Sequence, residues 1–329
     1  MLETLLVFIT SLVVVLLFSP LLIKSALKKG IVDHDSNKPG KPAVAAMGGF
    51  AIYGGLVAAV LLFVLGVSLY DHQFQLATML LAALLSISII ALIGVFDDLF
   101  KLSWGIKIFL PVFAALPLIA VLAGDTTMSL PLIGAVNLGW FYTFVLIPVG
   151  VTGAANAVNM SAGYNGLEAG EGAIISAFLL VIALSTGSVA ASIILAALLG
   201  ACLAFLKFNW FPARVFPGDL GTYVIGGALA SAVIIGNLEK FGLILFIPAF
   251  YELFATLYYK VKRVNRRQVC HNPVLKNGKI IPPKGSECFT LAFLILSRKP
   301  MGERTLVSSM LLLYAACGVF ALALFFTGA

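Results

Sequence analysis

Ten stretches of this chain are apolar over bilayer-crossing or near-crossing lengths, and a segment that crosses as a helix needs about 20 such residues. They run over residues 4–23, 47–69, 76–95, 107–123, 140–157, 173–185, 189–206, 222–236, 241–259 and 306–327, the sixth and eighth being short enough to borrow flanking residues. Of the 329 residues, 61% are hydrophobic and only 11% charged, where soluble domains carry about 25% charged residues. The expectation is an all-α polytopic membrane protein with ten transmembrane helices, one membrane domain over residues 1–329. The first stretch is too long and too poorly flanked for a cleavable signal peptide. No internal repeat is visible, which argues mildly against a transporter built from repeated halves.

The net charge of +7 is distributed in a way that sets orientation. When the ten stretches are threaded alternately, 20 of the 21 Lys and Arg residues fall on one side, and only Lys240 falls on the other. Positive charge accumulates in cytoplasmic loops, so both termini are expected outside and the longer loops inside. The excess is therefore not a nucleic-acid signal. The outer segment 125–139, with Pro131 and Gly134 among β-formers, is expected to form a short hairpin. The apolar stretch 288–297 is too short to span and reads as an interfacial helix.

Three polar clusters collect on the basic face. Asp97-Asp98 ends the third span. Carboxylates near a helix C-terminus oppose its dipole and repel each other, at greater cost beside lipid. A solvated helix end is the bland reading; ionisable residues at membrane depth favour function. The run 156–170 holds Asn156, Asn159 and Asn165 with Gly163, Gly166 and Gly170. It is either a helix stop or a site of close ligand approach, and its carboxamide oxygens suit a hard cation. Val215-Phe216-Pro217-Gly218-Asp219 precedes the eighth span. Asp219 there is either a helix-start carboxylate or a third acid facing Asp97 and Asp98. Trp104 and Lys107 follow the Asp pair and read either as interface anchors or as an aromatic face and a phosphate contact. His271, close to Arg266 and Arg267, is either solvated or part of a diphosphate clamp. Glu252 lies inside the ninth span without an assigned role.

Other chemistries are poorly served. Cys270, His271 and Cys288 lack a fourth ligand and the usual spacing of a zinc site, and the four cysteines are scattered. Walker A, HExxH and GxSxG motifs are missing, and the glycine-rich stretches follow no strand.

At these residues the chain resembles the polyprenyl-phosphate N-acetylhexosamine-1-phosphate transferases. Asp97-Asp98 with Trp104 and Lys107, the run Asn-Ala-x-Asn-x-x-Ala-Gly-x-Asn-Gly-Leu-Glu-Ala-Gly from Asn156, and the segment ending in Asp219 carry the resemblance. The second of these is similar to the dolichyl-type branch; peptidoglycan-type members usually have Asp-Gly at Ala162-Gly163. The resemblance implies ten helices with a cytoplasmic site. It also implies transfer of a sugar 1-phosphate, GlcNAc-1-phosphate first among candidates, from a UDP-sugar to polyprenyl or dolichyl phosphate with release of UMP. This would be the first step of lipid-linked oligosaccharide synthesis. Mg²⁺ is the implied cofactor, with Mn²⁺ as a substitute, and Asn159 and Asp219 are its implied ligands. Asp97 and Asp98 would line the catalytic centre. Lys107 would meet phosphate, Trp104 the sugar, and Gly163, Asn165 and Phe216 the uracil. Asn156 would support the diphosphate or metal region, and Arg267 and His271 the diphosphate and amino sugar. The loop Arg266-Arg267-Gln268-Val269-Cys270-His271 departs from the family's Arg-His-Arg and His-x-His-His patterns.

The implied partners are the two substrates and the bilayer, with a homodimer left open and no nucleic acid. A prokaryotic plasma membrane is favoured over the endoplasmic reticulum by the compact loops. Another UDP-amino sugar is the alternative within the enzyme class; a transporter or lipid flippase is the alternative outside it, and would place its acids at mid-membrane rather than at one boundary.

Overall fold

The computed structural model describes residues 1–130, 134–262, 274–282 and 288–328. The chain is predominantly helical. In order come α1 (Leu2–Lys29), α2 (Gly49–Leu69), α3 (Phe74–Phe100), α4 (Trp104–Phe109), a 3₁₀ segment (Leu110–Ala115), α5 (Leu116–Ala120), a π-turn (Tyr142–Leu146) running into α6 (Ile147–Ser161), α7 (Leu167–Ser185), α8 (Val189–Asn209), α9 (Gly218–Gly236), α10 (Glu239–Leu245), α11 (Ile247–Val261), α12 (Leu291–Arg298) and α13 (Glu303–Thr327). Three small antiparallel pairs sit in the connections: β1 (Val32–His34) with β2 (Ala43–Ala45), β3 (Thr127–Leu130) with β4 (Gly134–Asn137), and β5 (Val274–Lys276) with β6 (Lys279–Ile281).

Among the described residues eight helices are long and apolar enough to cross a membrane, or nine if α10 and α11, bent by 64° at their junction, form one span. The expected fourth span is not one helix. Residues Trp104–Ala120 break into α4, the 3₁₀ segment and α5, with Pro111 and Pro117 at the start of the second and third pieces. Proline lacks the N–H and crowds the preceding turn, so it is best accommodated where a helix starts. Pro248 does the same at the α10–α11 bend. The expected short sixth and eighth spans are full 19-residue helices, because α7 and α9 begin well before their apolar runs and draw in Glu168, Glu171 and Asp219.

Helix α9 is the centre of the bundle, with 89% of its apolar window buried against 22% for α13. It packs on α2, α3, α6, α7 and α8. Its sequence of Gly, Ala and Ser between apolar residues allows close approach, which in lipid substitutes for a hydrophobic drive between helices. An added Cβ on Gly49 would lie 2.3 Å from the Gly221 nitrogen, and one on Gly94 would lie 2.5 Å from the Leu220 Cα. Both glycines thus bring a neighbouring helix onto the first turn of α9. Helix α12 buries Ala292, Phe293 and Leu296 in a small satellite core with Tyr259, Leu306 and Met310.

Candidate active site

The segment between α8 and α9 is fixed by backbone bonds. Phe216 donates its N–H to the Ala45 carbonyl, and the Gly48 and Gly49 N–H groups donate to the Phe216 and Pro217 carbonyls, each at 2.8 Å. Asn209 Nδ2 adds a bond to the Val215 carbonyl at 2.9 Å. The chain then enters α9 through Gly218, whose φ of +70° is left-handed and whose absent side chain leaves room for Asp98.

Asp98 occupies that space. Its Oδ1 accepts from the Asp219 N–H at 2.8 Å and its Oδ2 from the Leu220 N–H at 3.1 Å. A carboxylate on the unpaired N–H groups of a helix start is favoured by hydrogen bonding and by the dipole together. The acid that opposes the end of its own helix therefore serves the beginning of another. Both of its oxygens are committed to backbone, and Asp98 holds the position of Asp219.

Asp97 faces the other way. It is fully buried; its Oδ1 accepts from the Leu102 N–H at 3.0 Å, and its Oδ2 lies 2.5 Å from Lys107 Nζ. The same ammonium lies 3.7 Å from Asp219 Oδ2. Asn159, two residues before the end of α6, donates from Nδ2 to Asp219 Oδ1 at 2.8 Å and to Thr222 Oγ1 at 2.9 Å. Asn156, one turn earlier, donates to the Thr152 carbonyl and, at 3.4 Å, to the carbonyl of Lys107. Its Oδ1 is buried without a hydrogen-bond partner. Four helix ends thus bring Asp97, Lys107, Asn159 and Asp219 together. Lys107 stands between two carboxylates with its side chain 21% exposed, and Asp219 is open at 27%.

The remaining predicted residues fall into two groups. Trp104 begins α4, with Lys260 Nζ 5.5 Å from its ring centroid. Gly163 (φ +139°) and Asn165 form the turn after α6, and Phe216 lies in the segment leading to α9. Gly163 donates its N–H to Glu168 Oε1 at 2.9 Å, and its carbonyl accepts from Asn37 Nδ2 at 2.8 Å. Arg267 and His271 lie outside the described residues.

Sequence reading missed the polar side chains around this turn. Asp35, Lys38 and Glu303 surround Asn165; the first two sit in a segment that turn-formers and charges mark only as a loop. It also missed a deeper pair at the α6–α7 junction. Glu171 is fully buried and accepts from Ser161 Oγ at 2.6 Å.

Residues 80–237 match the family described as glycosyl transferase family 4. A protein of Saccharolobus solfataricus is 35% identical over 260 residues, 78% of this chain and 77% of its own length. The chain belongs to this family. The Saccharolobus protein carries the provisional name UDP-N-acetylglucosamine–dolichyl-phosphate N-acetylglucosaminephosphotransferase. A Sulfolobus acidocaldarius protein with the same provisional name is 36% identical over 262 residues, 78% of each chain. The Schizosaccharomyces pombe UDP-N-acetylglucosamine–dolichyl-phosphate N-acetylglucosaminephosphotransferase is 34% identical over 196 residues, 52% of this chain and 43% of its own. The family match contains Asp97, Lys107, Asn159 and Asp219, whereas Asp35, Lys38 and Glu303 lie beyond its ends.

Proposed function

We propose that this membrane protein transfers GlcNAc-1-phosphate from UDP-GlcNAc to a polyprenyl or dolichyl phosphate, releasing UMP. The observation that carries the reading is the convergence of Asp97, Lys107, Asn159 and Asp219 at one end of the bundle, from segments as much as 60 residues apart for the Asn159–Asp219 bond and 121 for the Asp98–Asp219 bond. The names of the archaeal and fission-yeast relatives support the same donor and acceptor.

In the proposed reaction an oxygen of the lipid phosphate attacks the β-phosphorus of the UDP-sugar in line. A new P–O bond forms, the bond to the bridging oxygen breaks, and UMP leaves with that oxygen. The attacking phosphate monoester is largely dianionic at neutral pH, so no strong base is required. Catalysis then rests on positioning and charge. Lys107 offers its ammonium to a phosphoryl oxygen while Asp97 fixes where it points. Asp98 keeps the first turn of α9 in register, and through it Asp219. Trp104 provides a flat face for the sugar, and Gly163, Asn165 and Phe216 provide the uracil pocket.

The site fits a divalent cation. Asp97, Asp98 and Asp219 against Lys107 leave it formally negative, which repels a diphosphate unless a cation intervenes. Among the described residues no three His, Cys, Asp or Glu side chains gather to hold a metal unaided. Mg²⁺ typically takes one or two protein carboxylates and fills its shell with phosphate oxygens and water. Asp219 and Asn159 would form such a partial, all-oxygen set once the Asn159 amide, whose Nδ2 bonds Asp219 Oδ1, turns its oxygen to the ion, and Mg²⁺ there would neutralise charge on the diphosphate and the departing UMP.

Contacts along α9 support ten crossings. Lys107 reaches Asp219 at the start of α9, whereas the Asp125 N–H bonds the Asn237 side chain at its end, so the broken segment Trp104–Ala120 rises the height of the bundle. The bent pair does likewise, from Glu239, which accepts from Tyr142 Oη at 2.5 Å, to Lys260 over Trp104. With ten crossings and the basic loops inside, the site faces the cytoplasm, and the β3–β4 hairpin and both termini face outward. Compact loops favour a prokaryotic plasma membrane.

The deciding experiment is UMP release by purified protein given polyprenyl phosphate and a panel of UDP-sugars. UDP-GlcNAc is expected to be the preferred donor, and Asp219→Ala and Asn159→Ala are expected to lose turnover. Wild-type rates in both variants, or no UMP from any donor, would remove the proposal.

A further inference from the structure

A second buried polar cluster lies beside the turn that follows α6. Lys38, in the loop between β1 and β2, pairs with Asp35 and with Glu303 Oε2 (3.1 Å) and donates to Asn165 Oδ1 at 2.9 Å. The Asp35 and Glu303 side chains are 2% exposed and that of Lys38 13%. Asn165 is held through its backbone N–H and both polar atoms of its side chain. Its backbone N–H donates to Glu303 Oε1 at 2.8 Å, its Nδ2 donates to Asp35 Oδ2 at 3.0 Å, and its Oδ1 also accepts from the Ala213 N–H at 2.6 Å. Asn37 holds the Gly163 carbonyl from the same loop. The Phe211 ring takes Lys38 Nζ at 4.5 Å and the Arg304 guanidinium at 4.9 Å, and Arg304 also donates to the Phe211 carbonyl.

This arrangement ties together four segments that share no secondary structure: residues 35–38, 163–165, 211–213 and 303–304. Buried charges are a poor way to gain stability, because desolvation cancels much of their attraction and an apolar cluster of equal volume does as well. What ion pairs and bidentate carboxamides provide is a single geometry. The turn they surround needs one imposed from outside, since Gly163 and Gly166 both have positive φ and glycine holds no conformation by itself. That turn follows directly on the helix end that presents Asn159 to Asp219.

We propose that Lys38 is a positioning residue for the nucleotide half of the donor, acting through Asn165 and touching no reacting atom. The inference rests on the proposed function, in which Gly163, Asn165 and Phe216 hold the uracil. Lys38 bridges Asp35 and Glu303 and offsets the repulsion between them, and the trio then locks the turn in the shape that the base meets. Removing the ammonium leaves two adjacent buried carboxylates that must move apart, and Asn165 moves with them.

The test uses the purified full-length protein, with UMP release measured against UDP-GlcNAc at saturating polyprenyl phosphate and then the reverse. Lys38→Ala is expected to raise KM for UDP-GlcNAc by about tenfold or more, with kcat within about threefold and KM for the lipid unchanged, the pattern of lost binding common to ground and transition states. Lys38→Arg, which keeps the charge, is expected to recover most of the loss. Asn37→Ala, which removes only the bond to Gly163, is expected to raise the same KM by a few fold. An unchanged donor KM in Lys38→Ala, or a fall in kcat alone, overturns the proposal. Should Lys38→Ala fail to give monodisperse protein, Asn37→Ala decides, and a wild-type donor KM there overturns it equally. Wild-type protein that releases no UMP from any donor sinks the functional reading, and this inference falls with it.

Discussion

Asp97 and Asp98 are adjacent in sequence and do different work. Asp98 is consumed by two backbone N–H groups at the start of α9, while Asp97 is buried against Lys107. Asp98→Asn keeps one acceptor and turns an amide towards the other N–H. It is expected to displace Asp219 and lower kcat by about 10²-fold, the scale of an ångström misplacement, with little change in either KM. A kinetic comparison with Asp97→Asn separates the two, because Asp97→Asn also frees Lys107 and is expected to raise the donor KM. Activity near wild type in Asp98→Asn would remove the positioning role. Asn159→Ala tests the metal side. Its turnover is expected to require about 10–100-fold more Mg²⁺ for half-saturation, read from a metal titration at fixed substrate; an unchanged midpoint would take Asn159 out of the metal's surroundings.

At the scale of elements, the site depends on how closely helices approach α9. Gly94 lets α3 lie against Leu220 and the Asp219 carbonyl, at 2.5 and 2.9 Å from where a Cβ would stand. Gly94→Ala must separate the two helices, at about 1–3 kcal/mol for overpacking, and it moves Asp98 away from the N–H groups it caps. A lowered melting temperature and a loss of turnover larger than the stability change alone predicts are expected. Gly54→Ala is the control, since nothing lies within 4 Å of its added Cβ, and it is expected to melt and turn over like wild type. Equal effects of the two substitutions would show that helix approach is not what sets the site. The broken segment Trp104–Ala120 belongs to this scale too. Its prolines end α4 early, so Lys107 sits on a short helix held by the Asn156 side chain rather than within a continuous span.

For the whole molecule the governing property is sidedness. Among the described residues, the groups proposed for the site gather around the start of α9, and the Tyr142–Glu239 and Asp125–Asn237 contacts close the opposite end. In a cysteine-free background, Asn137→Cys is expected to react with a membrane-impermeant maleimide on intact cells, and Lys41→Cys only after lysis. The opposite pattern would invert the proposed orientation and place the site outside.

The predominance of long apolar helices and the presence of three polar clusters were legible in the sequence because each is a local property, a bilayer selecting on composition over about 20 residues; that the fourth stretch breaks into three pieces was not. The motifs also named the carboxylates and carboxamides that converge. Which acid caps and which pairs could not be read, since Asp97 and Asp98 are equivalent by composition and differ only in what the fold sets against them: Lys107 for Asp97 and, across 121 residues of chain, the start of α9 for Asp98. Likewise Lys38 carries the same positive charge as its neighbours in a basic loop. Only the fold, by bringing Asp35, Asn165 and Glu303 around it, turns that charge from a marker of sidedness into a buried hub, because the energy of a buried ion depends on its partners and not on its place in the sequence.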